Sequence, residues 1–158
     1  MYRIGLGKDI HRLVKGRPFL LAGVEIPFYK GETGHSDGDV LTHAVIDAIL
    51  GACGLGDIGE FFPPNDSKWK NADSMELLKL AFEKVRTKAY KIINIDCVIT
   101  CEEPKILPYR EQIRKALAQC LGLEPEHVFI KGKTREGLDA IGKGRAVEAL
   151  VVCLLEKI

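Results

Sequence analysis

From 39 to about 53, apolar Val40, Ala44, Ile46, Ile49 and Leu50 recur at helical spacing behind a turn-rich Ser36-Asp37-Gly38-Asp39 that offers N-cap side chains. This pattern predicts a helix with a polar entrance. A second helix is predicted from the capping pair Asp73-Ser74 to about Ala89, with Leu77, Leu78, Ala81, Phe82 and Val85 as its buried stripe. Alternation takes over at 92–101, where Ile93, Ile95, Cys97, Ile99 and Cys101 share one face and Asn94, Asp96 and Thr100 the other, as in a strand. Short apolar runs bounded by Gly and Pro predict strands at 2–10 and 19–28, and two more at about 127–133 and 145–156. Pro108 opens a further helix that ends near Gly122. Between the first two helices, 54–71 reads as a short helical turn near Ile58 and then an exposed loop.

Strands and helices mixed in this way indicate an α/β or α+β sandwich, one helical layer over one sheet. The 158 residues form one expected domain, 1–158, since a chain of this size buries roughly 70% of its unfolded surface around one core. With 46% hydrophobic and 28% charged residues, the composition is that of an ordinary globular protein. Lys+Arg 23 against Asp+Glu 22 leave a formal charge of +1, so no global basic field exists to hold a nucleic acid, and any anion must be bound locally. No apolar stretch approaches the ~20 residues of a membrane span, which predicts no membrane partner. Five cysteines, odd in number and without a C-x-x-C pair, suit reduced buried thiols and a cytoplasmic setting.

The chemistry-bearing residues fall in four groups. Asp9-x-His11 on an extended strand sends both side chains to one face, where a carboxylate and an imidazole suit zinc; His43, one turn into the first helix, is the best third ligand. Asp47, four residues further on the same helix face, is a candidate to orient the His43 ring or else a solvated polar residue. His35-Ser36-Asp37-Gly38-Asp39 offers free backbone N–H groups and a hydroxyl to a phosphate, although plain capping explains the same residues. Gly54-Leu55-Gly56-Asp57-Ile58-Gly59 permits close backbone approach, with Asp57 facing a substrate hydroxyl, or is simply a helix C-cap and turn; following a helix, it is not a dinucleotide fingerprint. The fourth group pairs the turn Glu102-Glu103-Pro104-Lys105-Ile106-Leu107-Pro108 with Thr134-Arg135-Glu136-Gly137. It offers donors to a nucleobase edge and a carboxylate to magnesium, or two surface turns.

Taken together, Asp9-Ile10-His11, the 35–63 string HSDGDxxxHAxxDAxxGAxxxGDIGxxFP, Ala72-Asp73-Ser74, Pro104-Lys105 and Thr134-x-Glu136 closely resemble the 2-C-methyl-D-erythritol 2,4-cyclodiphosphate synthase family of the non-mevalonate isoprenoid pathway. The likeness runs the whole chain. It implies an α+β fold, a mixed sheet covered by a helical layer, and a homotrimer with active sites between adjacent subunits. It implies a phosphorus–oxygen lyase that turns 4-diphosphocytidyl-2-C-methyl-D-erythritol 2-phosphate into the cyclic diphosphate with release of CMP. By this resemblance Asp9, His11 and His43 hold one zinc per subunit, Glu136 holds magnesium or manganese on the substrate diphosphate, and His35 and Thr134 stabilise the transition state. Substrate contacts are implied for Ile10, Ser36, Asp57, Ile58, Gly59, Phe62 and Asp66, beside the metal ligands. Cys101, Pro104, Lys105, Ile106 and Leu107 of a neighbour would form the cytidine pocket, and Lys133, Thr134, Arg135, Glu136 and Lys143 are further implied substrate contacts.

Some positions depart from the family pattern: Lys8 where Phe is usual, Pro64 for Asp, Lys133 and Arg135 for Thr, Ala140 for Phe and Lys143 for Arg. Those at Lys8, Ala140 and Lys143 fall where the family faces a threefold-axis cavity that can take isoprenoid diphosphates. Lys143 keeps the charge without the planar fork. Two rival readings accompany the synthase: a metal-dependent phosphohydrolase using the same Asp/His site, and a non-catalytic trimer binding isoprenoid phosphates.

Overall fold

The computed structural model describes residues 1–158. The chain runs β1 (Tyr2–Lys15), β2 (Phe19–Leu21), β3 (Val24–Ile26), β4 (Lys30–Glu32), α1 (Val40–Ala52), α2 (Ile58–Phe61), α3 (Ser74–Arg86), β5 (Tyr90–Thr100), α4 (Arg110–Leu121), β6 (Val128–Lys133), α5 (Asp139–Gly142) and β7 (Ala146–Lys157). A five-stranded sheet has the order β4-β1-β7-β5-β6, and β2-β3 form a separate hairpin. Only β5 and β6 are parallel, which needs the α4 crossover between them, so the sheet is mixed and the fold α+β, as expected.

The long helices cover one face. On β1 the alternation puts Gly5, Gly7 and Leu13 under the helices and Tyr2, Ile4, Leu6 and Ile10 outside. Helix α1 is apolar on nearly every side, and Leu41, Ile46, Ile49 and Leu50 are fully buried. Each such side chain contributes about 1.5–3 kcal/mol of burial, so the helix that carries His43 is held in the centre of the core. Asp39 caps it, its carboxylate accepting from the Thr42 amide at 3.0 Å and from the amides of Ala22 (3.2 Å) and Gly23 (2.7 Å) in the β2–β3 turn.

Several expected boundaries shift. The strand predicted at 2–10 continues to Lys15, and the run at 19–28 folds back as a hairpin, because Ala22 and Gly23 both take positive φ (51° and 71°) in the tight two-residue connection. The helix expected to reach Ala89 ends at Arg86, with Ala89 left-handed at φ 57° before β5. On β5 a register shift between Ile92 and Asn94 inserts a bulge, so Tyr90 and Ile92, rather than Ile93, share the inner face with Ile95, Cys97 and Ile99. None of the cysteines is in a disulfide, and Cys97, Cys101 and Cys153 are buried. No helix is long and apolar enough to cross a membrane.

Candidate metal and substrate site

Strand alternation places Asp9 and His11 on the helix-facing side of β1, and α1 lays His43 over them. Asp9 Oδ2 lies 2.8 Å from His11 Nε2 and 3.1 Å from His43 Nδ1, and the two ring nitrogens are 3.1 Å apart. The outer nitrogen of each ring is already engaged. His11 Nδ1 donates to the Thr33 carbonyl at 2.5 Å, which leaves Nε2 with a lone pair. His43 Nε2 lies 2.8 Å from the Ser74 hydroxyl and 2.9 Å from that of Ser36. Two ring nitrogens and one carboxylate oxygen thus converge, and one ligand atom from each of the three residues lies within 4.8 Å of the others. Such a set of acceptors fits a cation of the borderline class, and hydrogen-bonded outer nitrogens are the support that ligating histidines require.

Electrostatics agree with that reading. Burial works to raise the Asp9 carboxyl, but the adjoining His11 and His43 rings outweigh it and hold it far below the usual carboxylate range. Burial likewise opposes charge on His11, yet the adjacent Asp9 carboxylate prevails and raises its pKa. Asp47, a candidate either to orient the His43 ring or to be a solvated polar residue, does neither: its Oδ1 accepts from the Ile58 amide at 2.8 Å and so fixes the loop after α1.

Beside the cluster opens a cavity of about 200 Å³. His11, His35, Ser36 and His43 form its polar end, while Ile58, Gly59, Phe62, Pro64, Trp69 and Leu77 form an apolar wall. Phe62 meets Trp69 edge-on at 4.9 Å between ring centroids. A second cavity, about 290 Å³, lies where the parallel strands β5 and β6 end side by side; the Cys101 amide donates to the Lys133 carbonyl at 3.0 Å. Cys101, Lys105, Ile106, Leu107, Lys133 and Thr134 line it, together with Arg110 and Gly132.

The remaining sequence candidates lie outside both cavities. Ile10 points to the opposite face of the sheet from Asp9 and His11, where it is exposed. Asp57 caps α2 through the Glu60 amide (2.9 Å), and Asp66 accepts from the Lys68 amide (2.9 Å). Pro104 follows a cis peptide bond and is buried, whereas Lys143, which ends α5, is exposed. Arg135 is paired with Asp139 at 2.9 Å, and its amide donates to Glu102 at 2.7 Å. Glu136 sits in the left-handed region, φ 54°, a conformation a non-glycine residue holds only at a cost in energy. Trp69, Leu77 and Arg110 carry no sequence signal as cavity residues. Leu77 looked like part of the α3 stripe, and the others lie in or beside loops without periodic signal.

An α+β sandwich with a two-histidine, one-aspartate cluster beside an apolar cavity is an arrangement able to hold a cation next to a small ligand. The chain belongs to the YgbB family, whose sequence profile matches residues 2–156. It is 61% identical over 153 residues to 2-C-methyl-D-erythritol 2,4-cyclodiphosphate synthase of Treponema denticola, covering 97% of this chain and 95% of the relative. The synthase of Enterococcus faecalis is 52% identical over 157 residues, covering 99% of this chain and 100% of the relative. Among solved structures, the bifunctional IspDF of Campylobacter jejuni superposes with a TM-score of 0.96 at 42% identity; it covers 100% of this chain, which spans 43% of that larger protein. The CDP complex of Plasmodium falciparum IspF gives 0.86 at 35% identity, covering 99% of this chain and 96% of that one.

Proposed function

We infer that this protein cyclises 4-diphosphocytidyl-2-C-methyl-D-erythritol 2-phosphate to 2-C-methyl-D-erythritol 2,4-cyclodiphosphate with release of CMP, a lyase step in isoprenoid precursor biosynthesis. The observation that carries the reading is the convergence of Asp9 Oδ2, His11 Nε2 and His43 Nδ1 at the mouth of an apolar cavity, in a chain whose relatives bear that name. An oxygen of the 2-phosphate forms a bond to the β-phosphorus, and the bond from that phosphorus to the oxygen bridging to the α-phosphate breaks, its electron pair leaving with CMP. The nucleophile belongs to the substrate, so the protein has to align the attack and neutralise crowded charge.

Asp9, His11 and His43 would hold zinc, and Glu136 magnesium or manganese. Bound there, these cations would supply charge neutralisation at the phosphates. His35 and Ser36 would orient the phosphate end, with His35 and Thr134 holding hydrogen bonds on the reacting oxygens. Phe62, with the Trp69 wall, would exclude water, which favours ring closure over hydrolysis. Asp57, Ile58, Gly59 and Asp66 would flank the erythritol part, whereas Ile10, on the far face of the sheet, would take no direct part in that pocket. The cytidine would sit in the second cavity, an assignment supported by CDP in the solved relatives, with Cys101, Lys105, Ile106, Leu107 and Lys133 lining it and Pro104 and Arg135 on the adjoining turns; Lys143, outside the cavity, would add only its charge to substrate binding.

Within one chain the metal cluster is on β1 and the second cavity at the ends of β5 and β6, with β7 between. A homotrimer with shared sites would bring one subunit's cluster to its neighbour's cavity. The uncovered sheet face supports that assembly: Ile4 (74% exposed), Leu6 (64%) and Ile10 (52%) lie beside Val152 and Leu150, too much apolar surface to leave in water. On that face Lys8 pairs with Glu148 at 3.2 Å, so its charge is partly spent, which argues against an axial isoprenoid diphosphate there. Five unbridged thiols support a cytoplasmic location.

Phosphorus NMR and product mass, with the purified protein, the cytidine diphosphate substrate and magnesium, test the reading. CMP with a cyclic diphosphate is expected. A linear product one water heavier would overturn it in favour of the hydrolase, which the names of the relatives do not support.

A further inference from the structure

We propose that Asp37 and Ser74 act as a positioning relay that sets the tautomer of His43 and ties that ligand to the start of α3. The inference rests on the reading of His43 as a metal ligand and adds to it two residues with no assigned part.

The relay follows from counting protons. Ser74 is the first residue of α3 and wholly buried, and its hydroxyl carries one hydrogen. That hydroxyl is 2.5 Å from Asp37 Oδ1 and 2.8 Å from His43 Nε2. A carboxylate accepts only, so the single Ser74 proton goes to Asp37. The contact with His43 must then run the other way, with Nε2–H donating to the Ser74 oxygen. Nε2 therefore holds the ring proton, and Nδ1, facing Asp9 and His11, is bare. The Ser74 amide donates to the second oxygen of Asp37 at 3.0 Å, which fixes both oxygens of the carboxylate on one residue. Ser36, 2.9 Å from Nε2 and 3.4 Å from the Ser74 oxygen, is a secondary acceptor.

The same geometry ties the metal ligand to the segment that walls the cavity. The Asp37 amide donates to the Ala72 carbonyl at 3.2 Å, and the Asn71 amide to the His35 carbonyl at 3.0 Å. The loop before α1 and the segment entering α3 are thus joined at two backbone bonds and at the Asp37–Ser74 contact, directly behind the His43 ring.

The test uses the full chain and its Ser74→Ala and Asp37→Asn variants, with His43→Ala as a control. Nitrogen-15 NMR of the imidazoles, recorded with chelator present, reads the tautomer, and competition against a chromophoric chelator reads zinc affinity. In the unaltered protein the His43 signal should be that of the Nε2–H tautomer. In Ser74→Ala it should move toward a mixture, and zinc affinity should fall about 10–100-fold, the loss seen when the partner of a ligating histidine is removed. Asp37→Asn should move both in the same direction. Thermal unfolding with chelator present separates a lost relay from a lost fold: a variant that unfolds below the assay temperature is replaced by the other, on which the same readings decide. An Nδ1–H tautomer in the unaltered protein, or full zinc affinity in Ser74→Ala, overturns the relay. Unchanged zinc affinity in His43→Ala instead sinks the metal reading on which it stands.

Discussion

Asp47 on α1 accepts a hydrogen bond from the Ile58 amide at 2.8 Å, so the helix that carries His43 also anchors the loop that walls the cavity. The Asp47 pKa is raised, chiefly by burial. A hydrogen bond to a charged group contributes about 1.5–3 kcal/mol. Asp47→Ala should therefore loosen the 57–62 loop and raise KM about tenfold or more, with zinc content unchanged. Asp47→Asn keeps an acceptor and most of the affinity. Steady-state kinetics beside metal analysis check this, and an unaltered KM in Asp47→Ala removes the anchoring role.

Zinc affinity should fall as the pH falls from neutral. Asp9 stays ionised throughout, since its pKa lies far below the usual range, whereas that of His11 is raised by Asp9 and so titrates first. A protonated imidazole cannot ligate, so each proton displaced costs about tenfold in affinity per pH unit below that pKa. Chelator competition between pH 5 and 8 measures the slope; a flat profile would exclude His11 as a ligand.

Glu32 gives a separate pH effect, on stability. It is fully buried, its Oε2 accepts from the Leu20 amide at 2.7 Å, and its Oε1 has no partner. Burial, aided by the charge of Asp39, pushes its carboxyl up to about 9. The folded chain therefore holds a proton that the unfolded chain releases near its ordinary value of 4.5, and the associated stability, complete at low pH, is lost as pH rises toward 9. Glu32→Gln keeps the acceptor without the charge. It should leave stability at pH 4 almost unchanged and raise it at pH 8–9, by an amount on the order of a few kcal/mol. Urea unfolding across that range decides; a gain independent of pH would mean that Glu32 is not the titrating group.

Much of this could be read from the chain and some could not, for local reasons. Asp9-x-His11 was legible because strand alternation has a fixed period, and His43 because it sits one turn into a strongly periodic helix. Asp47 shows the limit: a spacing of four residues puts it on the same helix face as His43 but cannot choose between that ring and solvent, nor say that an amide across the loop takes it instead. Ser74 read correctly as part of a helix start, yet its contact with Asp37 spans 37 residues and has no periodic trace. The β5 bulge was invisible because it depends on the register with β7, and the β2–β3 turn because Ala22 carries no turn signal.

The outward sheet face predicts the assembly. Leu6 lies opposite Val152 and Ile4 opposite Leu154 in register, which makes a continuous apolar stripe. Leu6→Glu places a charge in its middle and should lower the mass seen by sedimentation to that of one chain. Turnover should be lost while zinc binding persists, because Asp9, His11 and His43 come from one chain. A Leu6→Glu protein that keeps both its mass and its activity would argue for a different interface.

The distance between β1 and α1 is set by side chains that are missing. A Cβ on Gly7 would fall inside the Ala44 carbonyl, and one on Gly5 inside that of Ala48, so the helix can lie against the strand only because both are glycine. Gly7 is two residues before Asp9, and Ala44 follows His43, so the same contact sets the reach between the three ligands. Gly7→Ala has to push α1 outward, which costs about 1–3 kcal/mol for overpacking and separates His43 from Asp9 and His11. Zinc affinity should fall at least tenfold in the folded fraction. Gly51→Ala is the control, since it lies on the same helix with nothing near its Cβ. There the lost flexibility of glycine should stabilise by about 0.5–1 kcal/mol with zinc affinity intact. Thermal unfolding and chelator competition on the two variants separate the outcomes. Were Gly7→Ala to match Gly51→Ala in both, the close approach of α1 to β1 would not be what brings the ligands together.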